Sequence, residues 1–88
     1  LLGGPVQAAI ILVDGSTCTL INAIDSANSN TSVGTCIAGS AGADTLALQN
    51  SSVHTLMAIN NLDPDANGLP LITSDITING NGSTIERS

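Results

Sequence analysis

Apolar residues recur along this chain in short clusters, and the period inside the clusters changes twice. Ala9-Ile10-Ile11-Leu12-Val13 is a β-branched run closed by the turn pair Asp14-Gly15. It predicts a short strand, buried on both sides or covered at one end. From Thr19 the period lengthens, because Leu20, Ala23, Ile24 and Ala27 fall at i, i+3, i+4 and i+7. That is the apolar stripe of an amphipathic helix about two and a half turns long. Thr19 or Thr17 can cap its start, and Asn28, Ser29 and Asn30 can end it, since Asn tolerates the left-handed conformation common at helix ends. Residues 28–42 are rich in Ser, Thr, Gly and Asn and predict a loop.

Alternation then takes over in Asp44-Thr45-Leu46-Ala47-Leu48 and Val53-His54-Thr55-Leu56-Met57, with turn residues at 49–52 between them. After a polar loop at 60–68, Leu71-Ile72 leads into Asp75-Ile76-Thr77-Ile78, the turn Asn79-Gly80-Asn81-Gly82, and Ser83-Thr84-Ile85-Glu86. Leu46 and Leu48 stand 30 residues before Ile76 and Ile78, and Leu56 stands 29 before Ile85, so the strand–turn–strand unit is used twice. Repetition on that scale marks a solenoid, in which each coil buries its apolar side only by stacking on a neighbour. Bends too short for a crossover helix favour a parallel β-helix, with like strands about 4.8 Å apart. An antiparallel meander is the alternative arrangement of the same strands.

Composition narrows the picture. The 88 residues are 42% hydrophobic yet include no Phe, Tyr or Trp, so the core is built from Leu, Ile, Val and Ala, which suit a narrow repetitive interior. A chain this short forms one domain and buries only about 60–65% of its unfolded surface. Seven acids face one base, Arg87, for a net charge of −6, which excludes nucleic-acid binding. No apolar run reaches the roughly 20 residues of a membrane-spanning helix. Cys18 and Cys36 are the two cysteines, and no His or Cys stands beside them at metal-ligand spacing. They predict a disulfide contributing roughly 3 kcal/mol, and with it an oxidising compartment. Residues 1–8 resemble the tail of a signal peptide, with an irregular terminus as the plainer reading.

One set of pieces, in order, resembles the CSLREA-type segment that precedes many bacterial right-handed β-helix (pectin-lyase-like) surface proteins. The pieces are Cys18-Thr19-Leu20-Ile21-Asn22-Ala23-Ile24, Ala27-Asn28, Gly34-Thr35-Cys36, Gly42-Ala43-Asp44-Thr45, and Gly68-Leu69-Pro70 leading into Ile76-Thr77-Ile78-Asn79-Gly80-Asn81-Gly82. The likeness runs from about residue 10 to residue 87. It departs at Ile21 and Asn22, where the family pattern has Arg and Glu, so any ion pair made there is absent. The resemblance implies a mainly β fold, the start of a right-handed parallel β-helix with one N-terminal capping α-helix. Residues 9–43 would be the cap (strand, helix and disulfide loop) and residues 44–88 the first coils. Capping has a physical logic, because an open first coil exposes unpaired backbone and apolar side chains that invite aggregation.

Candidate chemistry is sparse. Asp63-Pro64-Asp65-Ala66-Asn67-Gly68 has the D-x-D-x-N-G spacing that puts oxygen ligands on alternate residues of a tight loop. Asp63, Asp65 and Asn67 are therefore candidate Ca²⁺ ligands. The twelfth position, which needs a bidentate Glu, is Ser74, so a solvated polar loop is the favoured reading. Asp44 and Asp75 begin corresponding strands and, with Asp14, could form a carboxylate cluster, although strand-end Asp more often accepts from turn amides. His54 has no nucleophile motif around it and reads as a half-exposed strand residue, and Met57 as core filler. Three N-x-S sequons, at Asn30, Asn50 and Asn81, read as coincidence in so Asn-rich a chain.

The expected function is the cap and first coils of a secreted or cell-surface scaffold, structural or adhesive, with no catalytic residue in this segment. Its expected partners are further coils of the same protein or stacked copies of itself, with surface glycans as possible ligands. The rival is the front of an extracellular polysaccharide lyase or glycosidase whose active site lies on other coils.

Overall fold

The computed structural model describes residues 8–88, so the leader-like segment lies almost wholly outside the described residues. The elements run β1 (Ile10–Val13), α1 (Leu20–Ser29), β2 (Asp44–Leu48), β3 (Val53–Leu56), β4 (Ile76–Asn79) and β5 (Thr84–Arg87). Strands β1, β2 and β4 form one sheet in that order, and β3 pairs with β5 in a second. Every strand pairing is parallel, which sets aside the meander. The chain is thus a small mixture of parallel strands and one helix, and no closed barrel or solenoid is formed among the described residues.

The repeat is offset by two residues from the one the hydrophobic pattern suggests. Leu46 lies beside Ile78 rather than Ile76, and Ile85 lies beside His54 rather than Leu56. A two-residue slip keeps every side chain on its own face, so periodicity cannot choose between the registers. Specific hydrogen bonds discriminate. Asp44 N–H donates to the Asp75 carbonyl at 2.9 Å, and Ser51 N–H donates to the Asn81 carbonyl at 3.2 Å. The Asn81 amide, from the second bend, donates to the Leu48 carbonyl at 2.8 Å.

Stacking in this register makes a column of Ile11, Leu46 and Ile78 and a second of Val13 and Leu48. Ile11, Val13, Leu46 and Leu48 are fully buried, each contributing about 1.5–3 kcal/mol. Their neighbours Ile10 and Leu12 point outward, so β1 is buried on one face only, because its other face has no layer over it. Two residues of the β3 region exchange their expected places. His54 is buried at 4% exposure, since the parity of β3 turns it inward, whereas Met57 lies past the strand and is exposed.

Helix α1 packs against β1 and β2 and adds its apolar stripe to this core. Thr19 caps it by accepting from Asn22 N–H at 3.1 Å, and Asn30 closes it in the left-handed conformation at φ 57°. The stripe read from the spacing, Leu20, Ala23, Ile24 and Ala27, is buried, and Ser26 joins it. Ser26 Oγ accepts from Val33 N–H at 2.9 Å, which turns the following loop back over the helix. The Cys18–Cys36 disulfide is formed, with both residues buried and their Cα atoms 4.8 Å apart. No helix among the described residues is long and apolar enough to cross a membrane.

Candidate functional site

The carboxylates of the sequence do not assemble into a catalytic pair. Asp44, 1% exposed, accepts from Ala9 N–H at 3.1 Å, from Ser40 N–H at 3.1 Å and from Ser40 Oγ at 2.7 Å. It ties the chain entering β1, the loop above the helix and the start of β2 to one side chain. Gly39 makes this approach feasible: a Cβ there would stand 2.6 Å from Ala27 Cα and 2.8 Å from Asp44 Oδ2. Asp75 is exposed and joins Asp44 through its backbone carbonyl only. Asp14 is spent locally, accepting from the Thr17 hydroxyl and from the N–H groups of Ser16, Thr17 and Cys18. Those donors, the Thr17 hydroxyl first and the Ser16 and Cys18 amides next, hold its carboxyl well below the usual range.

His54 does meet a serine, which the sequence reading did not foresee. Its Nε2 lies 2.7 Å from Ser52 Oγ, and Ser52 Oγ also donates to the Gln49 carbonyl at 2.7 Å. With the hydroxyl proton directed to the Gln49 carbonyl, Ser52 Oγ is left to accept from Nε2. Buried Nδ1 finds no donor; it faces Gly15, where a Cβ would come within 3.3 Å of the ring. In this arrangement the histidine donates to the serine, the reverse of the direction that would activate the hydroxyl as a nucleophile.

The candidate Ca²⁺ ligands share one exposed loop, closed by an antiparallel bridge between Asn61 and Asn67. The Asn67 amide nitrogen donates to the carbonyls of Asp63 at 3.1 Å and Asp65 at 2.9 Å and to Asn61 Oδ1 at 3.3 Å. The acceptors on the two aspartates are backbone carbonyls, so these bonds shape the loop and leave the Asp63 and Asp65 carboxylates out of it. Among the described residues no group of three or more His, Cys, Asp or Glu side chains is gathered to hold a metal.

The surface most unlike ordinary exterior is the end of the stack opposite the helix. There Ile78 and Ile85 continue the inward columns yet are 39% and 43% exposed, against 0% for Leu46 one strand above. Leu71 and Ile72 add further exposed aliphatic surface just before β4. Strand β4 is one of the two edge strands of its sheet, paired by β2 as β1 is. The approach to this edge is fixed by Asn28 at the end of α1, whose amide donates to the Leu71 carbonyl at 2.7 Å and whose oxygen accepts from Thr73 N–H at 2.9 Å. Sequence reading assigned Asn28 to helix termination alone; its dual role could not be read without knowing which distant backbone it faces. A groove of about 420 Å³ is lined by Leu12, Ala47, Gln49, Asn50 and Asn81 among others.

No family model matches the sequence, and no curated protein or solved structure matches it either. The family likeness therefore rests on the residues that carry it.

Proposed function

We propose that this chain closes one end of a stack of parallel β-strand coils and offers the other end as a template for further strands. It would be the opening segment of a right-handed parallel β-helix on a secreted or cell-surface scaffold, structural or adhesive in role. The observation that carries the reading is the contrast between the two ends. One is sealed by α1, the disulfide loop and Asp44. The other exposes Ile78 and Ile85 in line with buried positions, whereas Ile11 and Val13 on β1, the opposite edge strand of the sheet, are fully buried. A further coil, with one aliphatic strand laid parallel on β4 and another on β5, would extend both ladders and cover the exposed remainder of both isoleucines, each gaining somewhat under half of the roughly 1.5–3 kcal/mol of full burial. The parallel register and the two-fold use of the strand–turn–strand unit support the same reading.

Sedimentation over a wide concentration range tests it. For the 88-residue chain, association through the exposed Ile78 and Ile85 should bring like face to like face and stop at a closed dimer. The pair of substitutions Ile78→Lys and Ile85→Lys should abolish that dimer with the circular dichroism spectrum unchanged. Open-ended filaments, a chain that stays monomeric throughout, or association that ignores both lysines would overturn the proposal.

A further inference from the structure

Three Asn-Gly steps occur in the described chain, at Asn67-Gly68, Asn79-Gly80 and Asn81-Gly82, and the fold treats them differently. The Asn67 amide is held by three acceptors, and a Cβ on Gly68 would stand 3.0 Å from Leu56 Cδ1, so the step is both tied and crowded. The Asn81 amide donates to the Leu48 carbonyl, and its backbone carbonyl accepts from Ser51. Asn79 is exposed and its side chain has no hydrogen-bond partner among the described residues; a Cβ on Gly80 would meet nothing within 4 Å beyond its chain neighbours, as on Gly82, so the free side chain is what sets this step apart.

We propose that Asn79 is a deamidation site that charges the open end of the molecule as it ages. Asn is thermally labile, and a following Gly offers least steric resistance to ring closure. The Gly80 backbone nitrogen attacks Asn79 Cγ, a new C–N bond forms, and the Cγ–Nδ2 bond breaks. Ammonia leaves, carrying the proton given up by the Gly80 N–H. Water then opens the resulting cyclic imide. Cleavage at Cγ gives Asp at position 79, and cleavage at the former backbone carbonyl gives isoaspartate.

Either product changes β4. Asn79 stands beside Ala47, which stands beside Leu12, at the end of an edge strand. A carboxylate on an edge strand opposes edge-to-edge pairing. Isoaspartate goes further, since its extra backbone methylene breaks the two-residue period on which the register depends. The loss of docking rests on the template function proposed above; the site of the chemistry does not.

The test is to incubate the folded, oxidised protein in mildly alkaline buffer and map the amide-to-acid mass change by peptide mass spectrometry over time. Asn79 should convert on the order of fivefold to tenfold faster than Asn81 or Asn67, the ratio set by the hydrogen bonds the latter two must first break. Gly80→Ala, at a position with open space, should slow Asn79 alone. Equal rates, or Asn81 leading, would overturn the assignment. The converted fraction, separated by anion exchange, should no longer self-associate. Conversion at Asn79 with association intact would overturn the regulatory half. Fresh protein that never associates would refute the template reading and leave the modification site standing.

Discussion

Replacing Asp44 by Ala should destabilise the fold more than any other single truncation of a polar residue. Ala9 N–H, Ser40 N–H and Ser40 Oγ all donate to this carboxyl group, and the Asp44 side chain lies under Gly39 with almost no exposed surface. At a net value of about 1 kcal/mol for each hydrogen bond, the loss is about 3 kcal/mol. A chain of this length has roughly 4–13 kcal/mol of total stability, so the variant gives up a large share of it. With a urea m-value of about 2 kcal/mol/M, the unfolding midpoint should fall by about 1.5 M at unchanged m. Far-ultraviolet circular dichroism is the readout, because the chain has no aromatic residue to report by fluorescence. Asp44→Asn keeps one acceptor oxygen and the shape, and should lose about half as much. A midpoint shift below about 0.5 M for the alanine variant, equivalent to about 1 kcal/mol, would refute the claim that this residue holds three chain segments together.

Two further outcomes follow from the same geometry. The Asp14 carboxyl is held below its ordinary range in the folded chain, so its stabilisation is full above the unfolded value of about 3.9 and is lost as the pH falls below it. Acid titrations of wild type and Asp14→Asn should therefore converge towards low pH, and parallel curves would remove Asp14 as a source of the acid dependence. His54→Leu removes a buried, unpartnered Nδ1 from an otherwise aliphatic position beside Ile85. Thermal melting should show stability unchanged or raised by about 1 kcal/mol, and a loss of that size would mean that the His54–Ser52 hydrogen bond outweighs the orphaned nitrogen.

The helix was legible because its four buried apolar positions follow one period and its cap, Thr19, is a residue type suited to that local task. The strands were legible for the same reason, to within a residue or two. Register was not, because alternation is blind to a slip of two, and the deciding bonds come from Asn81 and Asp75, about 30 residues from their partners. The burial of His54 was also hidden. It depends on Gly15, nearly 40 positions earlier, lying against the ring without a side chain. Asp44 looked like one of three strand-end acids, and what separates it from Asp75 is a donor set drawn from residues 9 and 40. Local pattern thus reported elements and faces, while the polar side chains that lock elements together took their meaning from remote backbone.

The cystine has a consequence for the order in which the molecule assembles. Bringing β1 against β2 without it means closing a flexible stretch of roughly 30 residues; with Cys18 joined to Cys36, the covalent route between the two strands shrinks to roughly 14. The closure entropy saved is about 0.7 kcal/mol, and it accrues only to the β1–β2 ladder, since the path from β2 to β4 gains nothing. Oxidation therefore biases the chain to zip from the helical side first, leaving the aliphatic edge as the last part to form and the first to fray.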